Sequence, residues 1–197
     1  MYENKIILEP KWKSWIVETT IPLFTPEQCN EIIACGRKQS PQKAQVGMGR
    51  KEGGLDTSKR TTTISWIPFK ELEPMYVRVN EFIQRSNLNH FGFDDVRITE
   101  QAQFTEYPEG GFYDWHMDSD VNMQHEPPVR KISMTVLLNH ESQFEGGELE
   151  LMAPGKKAKL TQGNAIVFAS FLSHRVAPVT RGVRQSLVMW FGGTPFR

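Results

Sequence analysis

The sequence has 197 residues, the length of a single domain. Its 23 Lys and Arg balance 23 Asp and Glu, which argues against a protein that binds nucleic acid or anionic membrane through bulk charge. Fifteen Gly and 12 Pro exclude a collagen-like or low-complexity chain, and no apolar run approaches the roughly 18 residues of a membrane-spanning helix.

The opening MYENKIILEPKWKSW has no basic stretch followed by a long apolar one, so no secretory leader is expected. Residues Trp15–Leu23 (WIVETTIPL) are β-branched and apolar and read as a strand. Thr25-Pro26-Glu27-Gln28 reads as a helix start, with Thr at the N-cap, Pro at the first helical position, and an acid and an amide behind them. Cys29, Ile32 and Ile33 then form an apolar stripe that runs to Gly36. Cys29 and Cys35 are six residues apart, about 600° of helical rotation, so they point to different faces and suit neither a disulfide nor a metal pair. Eight Met and two Cys fit a reducing compartment, and a cytoplasmic location is expected.

The run 47–60 (GMGRKEGGLDTSKR) is rich in Gly and charge and reads as a surface loop, a candidate lid. A second helix is predicted from Phe69 to Asn89, where Leu72, Met75, Tyr76, Val79, Phe82 and Ile83 recur at three- and four-residue steps. From Val96 onward short β-like runs follow closely: Val96–Tyr107, Lys131–Leu138, Glu148–Leu151, Lys157–Leu160, Ala165–Phe168, Arg175–Val179 and Gln185–Phe191. The expected fold is mostly β, a jelly roll with N-terminal helices packed on it. One domain is expected over 1–197, with 1–95 supporting a β core at 96–197.

The chemistry concentrates in FTEYPEGGFYDWHMDSD, residues 104–120. On an extended strand, His116 and Asp118 point to the same face and can chelate one divalent metal. A third candidate ligand, His174, follows the apolar run AIVF and can join them only from a distant strand. Two His and one carboxylate form the facial set of non-haem Fe(II) oxygenases, which leaves coordination positions open; Zn(II) or Mn(II) would bind the same set. Ten residues on, Arg184 offers a planar fork for a carboxylate. Arg175 and Arg181 compete for that role, but Arg175 should face away from the ligand strand, and Arg181, before Gly182, reads as a turn residue.

Taken together, Tyr107, Gly110 and Gly111, Tyr113, His116, Asp118, His174 and Arg184 resemble the Fe(II)- and 2-oxoglutarate-dependent dioxygenases of the prolyl 4-hydroxylase-like group, in particular the PKHD-type hydroxylases. The segments FEGGEL (144–149), SHRVAPV (173–179) and RGVR (181–184), with Trp190, add to the resemblance, which covers about Val96 to Phe196. It implies a double-stranded β-helix with iron on His116, Asp118 and His174. It implies Arg184 on the distal carboxylate of 2-oxoglutarate, Tyr107 near that cosubstrate, and a Ser133 hydroxyl helping to hold the same carboxylate. Leu137 stands where related enzymes often have Tyr. The implied reaction decarboxylates 2-oxoglutarate to succinate and CO2 and uses O2 to hydroxylate a C–H bond, with ascorbate as an accessory reductant. The implied partner is a peptide or protein, with a peptidyl proline as the substrate; a small molecule is the alternative, and neither membrane nor nucleic acid is expected.

Other polar residues have plainer readings. FEGGEL is a tight turn into a strand rather than a source of a Glu148 ligand. His125 and His140 sit in loops, His125 beside the substrate mouth; His90 ends a helix, and Lys156, Lys157 and Lys159 mark a solvated hairpin. Trp115 and Trp190 are placed near the site. Three competing functions carry less weight. Oxidative demethylation of a nucleic-acid base fits poorly with the neutral charge and the early Arg184. A non-catalytic binding module fits poorly with the intact His116, Asp118, His174 and Arg184. A metal-dependent hydrolase lacks a second metal cluster and an obvious general base.

Overall fold

A computed structural model describes residues 14–43, 58–119, 128–152, 155 and 157–196. Most of the 47–60 run and of the 119–129 segment, with His125 and Lys156, lies outside the described residues. In chain order the elements are β1 (Ile16–Glu18), α1 (Pro26–Lys38), β2 (Gln42–Lys43), β3 (Arg60–Thr61), β4 (Thr63–Ile67) and α2 (Glu73–Ser86). They continue with β5 (Arg97–Ile98), β6 (Ala102–Tyr107), β7 (Phe112–His116), β8 (Val129–Leu137), β9 (Phe144–Gly146) and β10 (Leu149–Leu151). The last four are β11 (Ala165–Ala169), β12 (His174–Val176), β13 (Val179–Gly182) and β14 (Arg184–Gly193).

The large sheet has the order β1-β11-β8-β14-β6-β4-β2, with β5 also beside β14; a smaller sheet has the order β10-β12-β7-β3, and β9 pairs with β13. Alternation along the strands sorts their side chains. Ile132, Met134 and Val136 of β8, with Leu187, Met189 and Phe191 of β14, join the core that α1 and α2 cover. Ile166 and Phe168 of β11 point the other way and meet Leu149, Leu151, Val176 and Val179 between the sheets. This is the expected jelly roll with two supporting helices.

Helix α1 begins as predicted. Thr25 Oγ1 accepts from the Gln28 amide and the Gln28 side chain accepts from the Thr25 amide, a reciprocal capping box. Both cysteines are buried and unbridged, and burial pushes the Cys29 thiol up to about 11, which makes it an inert core group. Gly36 is where α1 crosses β6: an added Cβ would sit 2.4 Å from Phe104 Cγ. Gly36→Ala is therefore expected to destabilise the fold by about 2 kcal/mol through overpacking, against the roughly 1 kcal/mol that Ala normally gains over Gly in a helix. Urea unfolding checks the sign; a stabilised variant would refute the close crossing.

Several expected elements differ in extent. The 15–23 strand keeps only three residues of regular ladder. Beyond it Thr19 bonds through its side chain to the Ala165 amide, and Pro22 has no N–H to give. The 69–89 helix divides into a 3₁₀ turn (Phe69–Glu71), α2 and a π turn (Asn87–Phe91). Leu72, at φ −139°, breaks the first junction, and Pro74 then lies in the first turn of α2. Lys157–Leu160 contributes one bridge, Lys157 to Glu150, instead of a strand. The 175–179 run splits around Ala177 and Pro178 into β12 and β13.

Candidate active site

Pairing of β7 with β12 sets His174 directly opposite His116, which removes the 58-residue separation between them. Asp118 lies just past β7, where its amide and that of Ser119 both donate to the Ser170 carbonyl, at 2.9 and 3.0 Å. The candidate ligand atoms of His116, Asp118 and His174 all lie within 4.8 Å of one another. His116 Nε2 is 3.6 Å from Asp118 Oδ1, and His174 Nε2 is 3.4 Å from Asp118 Oδ2.

The backbone fixes the two tautomers. His116 Nδ1 lies 2.7 Å from the Asp114 carbonyl and His174 Nδ1 lies 3.0 Å from the Leu172 carbonyl. A carbonyl only accepts, so each Nδ1 carries a proton, and Nε2, which faces Asp118, is the nitrogen left to ligate. Burial, then the neighbouring His174, push His116 down to about 3, so its imidazole is neutral at neutral pH. For Asp118, burial raises the pKa, but His174 and His116 when protonated, with Arg130 and the Ser133 hydroxyl, outweigh it and hold the carboxyl below its usual range. Two aligned imidazole lone pairs and an ionised carboxylate are the donor set that a ferrous ion needs, and the residues fit it.

The surrounding side chains hold this set in place. Ser133 Oγ donates to Asp118 Oδ2 at 2.7 Å and lies 2.9 Å from Ser170 Oγ. Ser133 thus orients the Asp118 carboxylate, a bond beyond the cosubstrate contact that the resemblance implied for its hydroxyl. Tyr113 stacks on His116 with ring centres 3.5 Å apart, and the Arg60 guanidinium covers Tyr113 at 4.3 Å. Phe168 meets the His174 ring edge-on at 4.7 Å.

Arg184, the first residue of β14, is 2% exposed. Its Nη1 donates to Ser186 Oγ at 3.0 Å, and its guanidinium lies 5.6 Å from the Tyr107 ring centre. Leu137, opposite Ser186 in the ladder, brings no hydroxyl, so the hydroxyl beside Arg184 comes from Ser186. Among the described residues no carboxylate pairs with Arg184. Burial pulls its pKa below the ordinary value, yet a guanidinium stays protonated at neutral pH. Room for its stem comes from Gly147, at φ +66°, where a Cβ would sit 2.8 Å from Arg184 Cδ. That close approach accounts for the second glycine of FEGGEL. Glu148 in the same motif bonds Lys157 at the surface, away from the triad.

The competing arginines have other partners. Arg175 bonds Glu150 and covers Trp115, so both Arg175 and Trp115 lie on the outer side of the small sheet. Trp115 is therefore not a wall of the site; Trp190 is. Arg181 lies in β13 and pairs with Glu145 at 2.8 Å, both well exposed. His140 caps a 3₁₀ turn through Ser142, and His90 lies in the π turn.

The triad and Arg184 share one cavity of about 670 Å³. Its walls include Arg60, Trp66, Glu100, Gln103, Arg130 and Ser186, which the sequence reading did not single out. For Ser186 the signal was present: it stands two residues from Arg184 on one strand, as Val188 and Trp190 do in turn.

Comparisons with known proteins agree with this arrangement. The model of the 2OG-Fe(II) oxygenase superfamily matches residues 102–192. A PKHD-type hydroxylase of Shewanella oneidensis is 30% identical over 175 residues, covering 85% of this chain and 74% of that protein. One of Acidovorax ebreus is 37% identical over 99 residues, covering 48% of this chain and 44% of that protein, so this match spans less than half of the relative. A viral collagen prolyl hydroxylase from Paramecium Bursaria Chlorella virus-1, solved with 2OG, aligns with a TM-score of 0.71 at 19% identity, over 92% of this chain and 97% of its own. A prolyl-4-hydroxylase of Pseudomonas putida aligns with a TM-score of 0.67 at 21% identity, over 90% and 92%. At these identities the two structures establish the fold, the double-stranded β-helix. No helix among the described residues is long and apolar enough to cross a membrane.

Proposed function

This chain belongs to the 2OG-Fe(II) oxygenase superfamily as a PKHD-type hydroxylase, and from that membership we propose that it hydroxylates a C–H bond of a peptidyl residue, proline in the first instance. The observation that carries the reading is Arg184: a buried cation without a carboxylate partner among the described residues, in the same cavity as two imidazole lone pairs and Asp118. Burying an unpaired charge is costly, so such a site is built for an anion that arrives from outside.

In this reading His116, Asp118 and His174 hold Fe(II). Iron held there would activate O2, the oxidant, so that 2-oxoglutarate is oxidised to succinate and CO2, one atom of O2 entering succinate and the other the substrate hydroxyl. The protein binds, orients and shields. Arg184 and Ser186 take the distal carboxylate of 2-oxoglutarate, with Tyr107 beside it. The Nδ1–H bonds to Asp114 and Leu172 keep both imidazoles in the ligating tautomer, and Ser133 keeps Asp118 turned toward them. Trp66, Tyr113 and Trp190 wall the cavity and limit water. Ascorbate serves as an external reductant that keeps the iron ferrous. The proposed catalytic unit is the whole of 1–197, working in the cytoplasm, where its unbridged cysteines are stable.

The test is turnover in air with Fe(II), 2-oxoglutarate, ascorbate and proline-containing peptides. The expected result is succinate in equimolar yield with a peptide that has gained one oxygen on proline. Succinate without any hydroxylated proline would remove proline as the substrate; no iron-dependent succinate at all would remove the oxygenase reading.

A further inference from the structure

Charge within the cavity is unevenly matched. Arg130 gives its Nε and Nη2 to the two oxygens of Glu100 and lies over the Trp190 ring at 3.8 Å, so its charge is paired. Loading the site as proposed adds a ferrous ion and a dicarboxylate. Their charges cancel each other, and Asp118 then offsets Arg184. Among the described charged groups that line the cavity, Arg60 alone is left without a counter-charge.

The polar atoms agree with the charges. Arg60 Nη2 donates to the neutral side chain of Gln103 at 3.1 Å, while its Nε is buried with no acceptor. An unmet buried donor is rare in native proteins, so this N–H marks Arg60 as a cation that the described residues leave incompletely matched. Arg60 is held ready by the Tyr113 ring beneath it, and that ring in turn lies on His116. An anion on Arg60 is thus one aromatic layer from a metal ligand.

Resting on the oxygenase reading above, we propose that the substrate of this site carries a carboxylate close to the hydroxylated carbon, and that the Arg60 guanidinium receives it. Carboxylate is the shared chemistry; its source is either a peptide C-terminus or an Asp or Glu side chain beside the target residue. Arg60 is then a specificity determinant that favours such substrates over internal, uncharged segments.

A degenerate hexapeptide library, made once with free C-terminal acids and once with C-terminal amides, tests this. Each form is incubated with the Fe(II)-loaded protein, 2-oxoglutarate and air, and peptides that have gained oxygen are sequenced by mass spectrometry. A charge-assisted hydrogen bond predicts a preference of about tenfold or more for carboxylate-bearing peptides. If the C-terminus is the source, the acid library outperforms the amide library. If a side chain is the source, both libraries give products enriched in Asp or Glu at a fixed offset. The preference is a ratio within each protein, so it survives changes in total activity. It is expected to collapse in Arg60→Gln and to persist, reduced, in Arg60→Lys.

Hydroxylated peptides with no carboxylate preference, or a preference that Arg60→Gln retains, would overturn the assignment while leaving the oxygenase reading intact. No hydroxylated peptide in either library would also overturn it. Anaerobic 2-oxoglutarate binding by the same preparation, followed by its visible absorption, then shows whether the oxygenase reading fails as well.

Discussion

His174→Ala is expected to abolish ferrous-ion retention and, with it, all 2-oxoglutarate turnover. Only three protein ligands are offered, and losing an orienting partner alone commonly costs a metal site about 10- to 100-fold in affinity. Removal of a ligand itself should exceed the upper end of that range. The effect is specific because the site is buried and rigid. His174 sits in register with His116, its Nδ1 is tied to the Leu172 carbonyl, and its ring packs against Phe168. No other described His, Asp, Glu or Cys group clusters with the remaining two ligands to replace it. Metal content after dialysis reads the loss, and the unfolding midpoint of the metal-free protein provides the control. A variant that keeps stoichiometric iron would show that His174 is not a ligand.

The second large effect concerns Arg184. Arg184→Ala removes one partner of a buried charge pair that exists only when cosubstrate is bound. Such truncations cost about 2–5 kcal/mol, so the apparent affinity for 2-oxoglutarate should fall roughly 30- to 4,000-fold. Arg184→Lys keeps the charge but loses the planar fork and should fall between wild type and alanine. Stability should move the other way. Without cosubstrate the guanidinium is a buried cation with a hydroxyl as its partner, so Arg184→Met should match or exceed the wild-type unfolding midpoint in metal-free, cosubstrate-free buffer. Adding 2-oxoglutarate and metal should stabilise the wild type and leave that variant nearly unchanged. Wild-type affinity for 2-oxoglutarate in Arg184→Met would contradict this role.

Sequence and structure meet most closely where local geometry decides. The two-residue step from His116 to Asp118 is enough to put both on one side of an extended segment, and the capping box at Thr25 needs only four residues. The helices show where local rules stop: the apolar stripe of 69–89 is real, but the backbone changes type at Leu72 and again after Ser86, and Gly92 closes the π turn. Of the strands β2, β3 and β4, none was anticipated: the first two are only two residues long, whereas TISWI of β4 carries a legible β-branched and aromatic signal. Their place is set by the partners β6 and β7.

In the site, the placements of Ser133 and Trp115 have different physical grounds. Ser133 was placed by resemblance alone, and only the crossing of β8 beside the loop at Ser170 shows that its hydroxyl serves Asp118. Trp115 neighbours His116 in sequence and for that reason faces the opposite side of the strand, a consequence of alternation that was available from the start. Ser186 was within reach of the same rule. Arg60 was not, since its importance arises from what its neighbours leave unpaired.

The claim on which the rest depends is that the His116, Asp118 and His174 cluster and Arg184 act as one site. Anaerobic titration of the Fe(II)-loaded protein with 2-oxoglutarate, followed in the visible range, addresses it directly. The expected result is a saturable metal-to-ligand charge-transfer band in the wild type, absent in His174→Ala and requiring far more 2-oxoglutarate in Arg184→Ala. Iron demonstrably bound to the wild type with no band at any 2-oxoglutarate concentration would contradict it.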